Sequence, residues 1–149
     1  MSRTYDLLAF QHSLQPGDQQ TQQVLFAPGV SGLGCTGIQK LAQRVLLELL
    51  TELGTITYLP DRGTDLVSAF RRGEVRTELD VFMTFGFAAS RATVNIQADE
   101  LATDPEDEQL VEISLERVAI LPETVQLYAK ITSAAGESRT IQIPVSTLQ

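Results

Sequence analysis

The sequence predicts an α+β fold in which two to three helices pack on a small antiparallel β-meander, with an extended N-terminal arm. Apolar residues recur at three- and four-residue steps between Ile38 and Leu53, as in an amphipathic helix. Between Val111 and Val145 they alternate at period two, as in strands that bury one face. A polar, glycine-rich segment precedes both patterns and keeps neither period.

The N-terminal segment is expected to be an arm and hinge over residues 1–37, joined to the α+β domain of residues 38–149. Tyr5–Phe10 and Gln22–Ala27 are possible short strands, separated by a glutamine-rich stretch. Several glycines between Pro28 and Gly37 break regular structure. These glycines are best explained as a flexible hinge between the arm and the domain.

The first helix is expected to run from Ile38 to Leu53 and to stop at Gly54, which tolerates positive φ. The turn-rich loop that follows reaches Gly63, and Pro60 together with Gly63 fixes a tight reversal. The loop carries one basic side chain, Arg62, and no His or Cys, so its chemistry suits docking better than catalysis. The polar face of the helix is expected to contain Gln39, Lys40, Gln43, Arg44 and Glu48.

Two more helices are expected before the sheet. The first is short, from Asp65 to about Arg72, with Thr64 as its cap and Gly73 at its end. The second begins at Thr77, whose hydroxyl can accept a main-chain hydrogen bond, and it runs to about Gln97. Its apolar face is expected to contain Leu79, Phe82, Phe85, Ala89 and Ala92, with close packing or a slight bend at Gly86.

Three strands are expected after the acidic run from Asp99 to Glu108, which is interpreted as a solvated loop. Turns at Leu121-Pro122-Glu123 and Ala135-Gly136-Glu137 join the strands into an antiparallel meander. Pro144 lacks an amide donor and therefore predicts that the last strand, Thr140–Val145, is an edge strand or ends there. A partner's strand could add beside it.

Charge and residue usage exclude several functions. The net charge of −8 argues against nucleic acid or an anionic membrane as the main partner. Cys35 is the only cysteine, so no internal disulfide forms, and without a signal peptide or long apolar run the chain is expected to be cytosolic and soluble. His12 is the only histidine, which excludes an ordinary zinc site and leaves only carboxylate sites for Mg²⁺ or Ca²⁺. We predict no metal and no cofactor.

A small-ligand or nucleotide-binding module is one alternative. Gly32–Gly37 reads G-x-G-x-x-G and opens onto a helix, as in dinucleotide sites. However, the stretch does not directly follow the possible strand Gln22–Ala27, and no repeated βαβ unit follows it. Cys35 within it has no predicted base beside it, because His12 lies in the polar arm.

A lysozyme-like glycoside hydrolase is the second alternative, because such enzymes use two carboxylates. The chain has 19 acidic residues, so neighbouring pairs are expected by chance, and we predict that the protein is not an enzyme. The candidate acids beside the central loops are Asp61, Asp65, Glu74, Glu78 and Asp80.

Arg62, Arg71, Arg72 and Arg76 form a basic cluster within the acidic chain. One interpretation is a solvated helix end with local acidic partners such as Glu74. The other is recognition of carboxylates on a neighbouring protein, which the planar guanidinium suits.

The end of the first predicted helix, the loop after it and the start of the second helix contain a spaced set of residues: Thr51, Gly54 and Thr55, then Pro60, and then Gly63, Thr64 and Leu66. With the helices and the terminal meander, this spacing resembles the sheath initiators, which are small baseplate wedge proteins of contractile-tailed phages and related injection machines. That family commonly has a Thr-x-x-Gly-Ser turn, then a proline and a Gly-Ser/Thr-x-Leu step. Its aromatic-Glu-Pro-Arg motif before the meander has Leu115-Glu116-Arg117 as its counterpart here, without the proline. The resemblance covers Ile38–Val145.

The resemblance implies a structural part present in six copies around a tail tube, in the virion baseplate after assembly in the host cytoplasm. Its partners would be the tail sheath protein and baseplate wedge proteins, with the tail tube or hub as a further candidate. The chain would dock on the wedge and template the first sheath ring by strand pairing. The predicted contact residues are Gly54, Leu59, Pro60, Asp61, Arg62, Gly63, Arg71 and Arg72, then Glu116 and Arg117, and in the last strand Thr140, Ile141, Gln142, Ile143 and Val145.

Overall fold

The computed structural model describes residues 6–7, 21–23 and 34–146. Within them the chain has the predicted α+β fold, with three helices on one face of an antiparallel sheet. The helices are α1 (Gly37–Leu50), α2 (Leu66–Arg71) and α3 (Glu78–Ala98), followed by a 3₁₀ turn at Glu106–Glu108. The strands are β1 (Asp6–Leu7), β2 (Thr21–Gln23), β3 (Gly34–Cys35), β4 (Leu110–Ile120), β5 (Thr124–Ser133) and β6 (Ser138–Ser146).

The three long strands form the predicted meander, with β5 between β4 and β6 and antiparallel to both. Inward-facing apolar residues lie opposite one another, as Leu127 does to Ile143 and Ile113 to Ile131. Both turns fall where the sequence predicts them, and Gly136 in the second has a φ of +79°. The period-two pattern therefore identified the three long strands, and the two short turns between them predicted their antiparallel pairing.

Within the predicted arm and hinge, residues 1–37, the structure describes the short strands β1, β2 and β3 and the residues from Gly34 to Gly37. β1 pairs with β3 in an antiparallel ribbon, and β2 pairs with β6 in parallel. The rest of the possible strands Tyr5–Phe10 and Gln22–Ala27 lies outside the described residues, as does most of the predicted hinge. The last glycine of that hinge, Gly37, is the first residue of α1.

The hydrophobic core lies between the inner face of the meander and the three helices. α1 contacts β5 and β6, α2 contacts β6, and α3 contacts β4. Each large aliphatic or aromatic side chain buried there contributes about 1.5–3 kcal/mol. The most deeply buried are Leu41, Val45, Leu46, Leu49, Leu66, Val81, Phe85, Ile96, Leu127, Ile131, Ile141 and Ile143.

The predicted apolar face of α3 is partly wrong. Leu79 and Phe82 were expected in the core but are 68% and 41% exposed. The buried face of α3 instead runs through Val81, Phe85, Ala88, Ala89, Ala92 and Ile96. Gly86 lies on the exposed side, and a Cβ added there would meet no atom within 4 Å, so of the two expectations for Gly86, close packing or a slight bend, the close packing is wrong. The helix carries apolar residues on two faces, and its periodicity alone does not say which face is buried.

The interpretation of the acidic run Asp99–Glu108 as a solvated loop is wrong for its last residue, Glu108, which contacts the start of α1. Glu108 is buried, and its Oε1 accepts a hydrogen bond from the Gly37 amide at 3.0 Å. Its Oε2 lies 2.7 Å from the Lys40 ammonium. The Thr36 side chain makes no capping hydrogen bond, so a carboxylate distant in sequence supplies the acceptor that a helix start requires.

The start of α3 confirms the predicted cap at Thr77. Its hydroxyl accepts from the Asp80 amide at 3.1 Å, while Asp80 Oδ2 accepts from the Thr77 amide at 2.8 Å. Asp80 Oδ2 also accepts from the Arg76 amide at 3.1 Å. The hydrogen bond from the Arg76 amide, and then those from Thr77, lower the pKa of the Asp80 carboxyl below its ordinary value of 3.8.

Asp80→Asn is expected to destabilise the protein at neutral pH and to have less effect in acid. A carboxyl whose pKa is lower in the folded state contributes stability above its unfolded pKa and loses it as the pH falls through the folded pKa. Urea unfolding midpoints of the native and Asp80→Asn chains, measured from about pH 7 to about pH 2.5, should therefore converge toward the acid end. A constant difference across that range would contradict the ionised cap.

Candidate functional site

The loop between α1 and α2 is closed at its base by main-chain pairing. The amide of Thr64 donates to the carbonyl of Thr51 at 2.8 Å, and the amide of Leu53 donates to the carbonyl of Thr64 at 3.2 Å. The buried Thr64 hydroxyl donates to the Leu49 carbonyl at 2.9 Å. Both ends of the loop are therefore fixed to the last turn of α1.

Gly54 does not end α1 as predicted. The helix stops at Leu50, and Thr51 already has extended backbone. Gly54 has a φ of +79° in a separate turn, where the Thr55 amide donates to the Glu52 carbonyl at 3.2 Å. The pairing of Thr51 and Leu53 with Thr64 ends the helix three residues early.

Gly63 is the residue that this closure requires. Its φ is +90°, and a Cβ built on it would lie 2.4 Å from the Thr51 carbonyl oxygen. The sequence prediction of a tight reversal at Gly63 is therefore confirmed. Any side chain there must move the backbone of the loop base.

Gly63→Ala is expected to lower the free energy of unfolding by about 2 kcal/mol or more, because the left-handed conformation and the steric overlap both act against alanine. Gly54→Ala is the matched control: its φ is also positive, but an added Cβ meets nothing within 4 Å. Chemical unfolding of both variants should show the larger loss for Gly63→Ala. Equal losses of unfolding free energy in the two variants would show that the backbone at Thr51 and Gly63 can move apart at little cost, which would contradict the prediction.

A buried carboxylate braces the loop from α1. Glu48, which is 6% exposed, was predicted on the polar face of the helix. Its Oε1 accepts from the Gly63 amide at 2.9 Å and from the Asn95 side-chain amide of α3 at 2.6 Å. Its Oε2 lies 2.9 Å from the Arg62 guanidinium, which also pairs with Asp99 after α3. One side chain therefore links α1, the loop and α3.

The outer part of the loop is fixed to α3 as well. The carbonyl of Asp61 accepts from the side chains of Arg91 and Asn95, both at 3.2 Å. Beyond these contacts the loop is exposed, and Tyr58 at 92% exposure is its most prominent side chain. Leu59, Pro60 and Asp61 are also exposed. The arrangement presents an apolar tip on a rigid base.

The other predicted arginines lie beside local acids. Arg71 pairs with Glu52 at 2.7 Å, and Arg72 pairs with Glu74 at 2.7 Å. Arg76 donates to the carbonyl of Gly73 at 3.3 Å. The Arg72–Glu74 pair is exposed on both sides and stabilises the protein little, while in the other pair Arg71 is 64% exposed and Glu52 28% exposed. A carboxylate on a partner would have to compete with the acids already present.

Glu116 and Arg117 lie within β4, not before the meander. The register between β4 and β5 shifts between Leu115 and Arg117, so Glu116 lies in a bulge. Glu116 accepts from the Thr140 hydroxyl at 2.9 Å, and the Arg117 guanidinium stacks 3.9 Å from the centre of the Tyr128 ring. Both side chains are engaged on the solvent face of the sheet.

The prediction that the last strand is an edge strand is wrong for part of its length. Thr140, Ile141 and Gln142 pair with β2 on the side opposite β5. Among the described residues, no strand covers the outer side of the remaining part, Ile143–Ser146, which contains Pro144. The missing amide of Pro144 indicated the open part of the strand, but nothing in the sequence pattern identified β2 as a neighbour.

A second open edge, at β4, was missed. β4 is the terminal strand of the sheet in the described part of the chain. Beside it, α3 and β4 enclose a groove of about 530 Å³. The groove lies between Phe82, Gly86 and Ser90 on the helix and Val111 and Leu115 on the strand. Of the helix residues that line the groove, the sequence analysis placed Phe82 on the buried face of α3.

The geometry at Gly37 bears on the nucleotide alternative. A phosphate at a helix start needs free amides and no negative charge. The Gly37 amide already donates to the buried Glu108 carboxylate, and a Cβ added at Gly37 would lie 2.8 Å from Asp107 Oδ2. Gly32 and Leu33 lie outside the described residues, and Cys35 is buried. This helix start is poorly suited to an anion.

Two of the carboxylates considered for hydrolysis, Glu74 and Asp80, are engaged in local contacts. Asp65 and Glu74 line one groove between α2 and α3. The hydrogen bond from Arg72 lowers the pKa of the Glu74 carboxyl, so Glu74 stays ionised and cannot act as a general acid at neutral pH. Asp80 is engaged as the cap of α3.

Comparison with known proteins adds no assignment: no family model, no curated protein and no solved structure matches the chain. In residues 6–7, 21–23 and 34–146, no group of three His, Cys, Asp or Glu side chains is arranged to hold a metal ion. None of the helices described is both long enough and apolar enough to span a bilayer.

Proposed function

We propose that this chain is a non-enzymatic assembly protein of a contractile tail, acting in the baseplate as a sheath initiator. The observation that carries the proposal is an antiparallel sheet in which, among the described residues, no strand pairs with the outer side of β4 or of Ile143–Ser146, combined with a loop that Glu48 holds by hydrogen bonds. An open edge can accept a strand through main-chain hydrogen bonds alone, which gives directional assembly without catalytic side chains.

The loop and the sheet would have separate roles. The exposed tip around Tyr58 and Leu59 docks on a wedge protein, and its rigid base reduces the conformational entropy lost on binding. The sheet receives an extended arm of the sheath protein. Six copies arranged around the tail tube would then present six such edges and template the first sheath ring.

The experiment is size-exclusion chromatography with light scattering of the chain mixed with the sheath and wedge proteins encoded in its own genome. The proposal predicts a complex with each partner. Leu59→Ser should weaken the wedge complex, while Leu79→Ser, at an exposed leucine in the first turn of α3 and outside the loop, should not. A chain that elutes alone from both mixtures would contradict the proposal.

Truncation of β6 would not test this function. Ile141, Ile143 and Val145 are buried in the core, so a chain lacking residues 140–149 would lose about 1.5–3 kcal/mol for each of these side chains and fail to fold. Surface substitutions are therefore the informative variants.

A further inference from the structure

The outer edge of β4 is only partly protected against pairing. Its register shifts lie at Val111 and Glu116, and the residues from Glu112 to Leu115 between them pair regularly with β5. β4 contains neither lysine nor proline, and it is 11 residues long. The main chain of Leu110, the first residue of β4, is hydrogen-bonded to two side chains near the end of α3. The Leu110 amide donates to Glu100 Oε1 at 2.7 Å, and the Leu110 carbonyl accepts from Gln97 Nε2 at 2.9 Å. From Val111 onward, in the region that the structure describes, no strand pairs with this edge.

The groove beside that edge has the shape that an added strand needs. A new strand would lie about 4.8 Å from β4, with alternate side chains pointing toward α3. The helix residues at that point are small, namely Gly86, Ala89 and Ser90, and a Cβ at Gly86 would meet nothing within 4 Å. Val111, which is 54% exposed, and Phe82 provide apolar contacts at the mouth of the groove.

The negative charge at the groove favours an occupant that carries a basic residue. Glu112 is the only charged side chain among the residues that line it, and the whole chain has a net charge of −8. A strand that fits would carry apolar residues at alternate positions and a basic residue near Glu112.

We propose that the groove between α3 and β4 binds an extended polypeptide segment, which joins the sheet as a strand beside β4 with apolar side chains at alternate positions over Gly86 and a basic residue facing Glu112. The inference makes β4, rather than β6, the receiving edge. It rests on the proposed function only in identifying that segment as an arm of the sheath protein.

The test uses a synthetic peptide of alternating valine and threonine, about ten residues long, with a lysine at each end. Added to the full chain, it should shift the NMR amide signals of Gly86 and Val111 and slow hydrogen exchange along β4. Val111→Lys and Gly86→Leu should each weaken binding about tenfold or more, since both place a larger side chain in the groove. Val94→Lys, at an α3 valine that is 66% exposed and outside the groove, should change binding less than about twofold.

Two results would overturn the inference: a peptide that leaves β4 unchanged, or one that protects Ile143–Ser146 and binds Val111→Lys as well as the native chain. Gly86→Leu places a good helix former at an exposed site, so it keeps the test valid if Val111→Lys fails to fold. Peptide binding without any complex with sheath protein would contradict the proposed function and leave the groove assignment standing. Sheath complexes that are insensitive to Val111→Lys would contradict the groove and leave the function standing.

Discussion

Glu48→Ala is expected to lower the free energy of unfolding by about 3 kcal/mol and to release the loop between α1 and α2. The substitution removes the acceptor of the buried Gly63 amide and of the Asn95 side chain, and it removes one carboxylate from Arg62. A buried donor without an acceptor costs about 1–3 kcal/mol, and the lost ion pair adds to it. Urea unfolding gives the loss, and hydrogen exchange of the Gly63 amide reports the release of the loop.

The matched control for Glu48 lies four residues further along the chain, just after the end of α1. Glu52→Ala removes a carboxylate that is paired with Arg71, whose side chain is 64% exposed, so it should cost no more than about 1 kcal/mol. Glu48→Gln keeps the size of the side chain and an acceptor for Gly63 but loses the ion pair, so its effect should fall between the two. A Glu48→Ala chain as stable as Glu52→Ala would show that the brace is not structural.

Glu108→Ala is expected to cost about 2–4 kcal/mol and to loosen the first turn of α1. The buried carboxylate is the acceptor for the Gly37 amide and pairs with Lys40, and its negative charge lies at the positive end of the helix. Urea unfolding measures the loss of stability. Hydrogen exchange of the first-turn amides of α1 should become faster, while exchange in α3 should follow only the change in global stability.

Glu106→Ala is the control for Glu108, because Glu106 is an exposed acid in the same 3₁₀ turn. It should change stability by less than about 0.5 kcal/mol. An equal loss for both variants would assign the effect to the turn rather than to the buried carboxylate.

Local patterns predicted most of the elements. Alternation located the meander because each long strand buries one face, and Gly136 fits a turn that needs positive φ. The Thr77 and Asp80 pair is a local capping box, so sequence spacing was sufficient to find it. Gly73, with a φ of +69°, ends α2 where the sequence predicts. Each of these features depends on residues within a few positions of one another.

The errors involve contacts between residues that are distant in sequence. Glu108 reaches a helix start 71 residues earlier, which the composition of an acidic run does not reveal. Glu48 was predicted on a polar face because it is charged, yet Gly63 and Asn95 make its burial possible. Phe82 was assigned to the core because α3 is apolar on more than one face.

The candidate site was predicted in part. The sequence identified the loop and its requirement for Gly63, since proline and glycine spacing is a local property. It located one open edge from Pro144 but missed β2 beside Thr140–Gln142, and it missed the edge of β4. Which strands lie at the edges of a sheet depends on tertiary order, and the alternation of residues along each strand does not encode that order.

The most direct test of the proposed function is electron microscopy of sheath protein with wedge proteins, in the presence and absence of this chain. Negative-stain images should show rings or short sheath stubs only when the chain is present, and the stubs should persist with Val94→Lys. Sheath that assembles equally well without the chain, or that never assembles with it, would contradict a role in initiating the sheath.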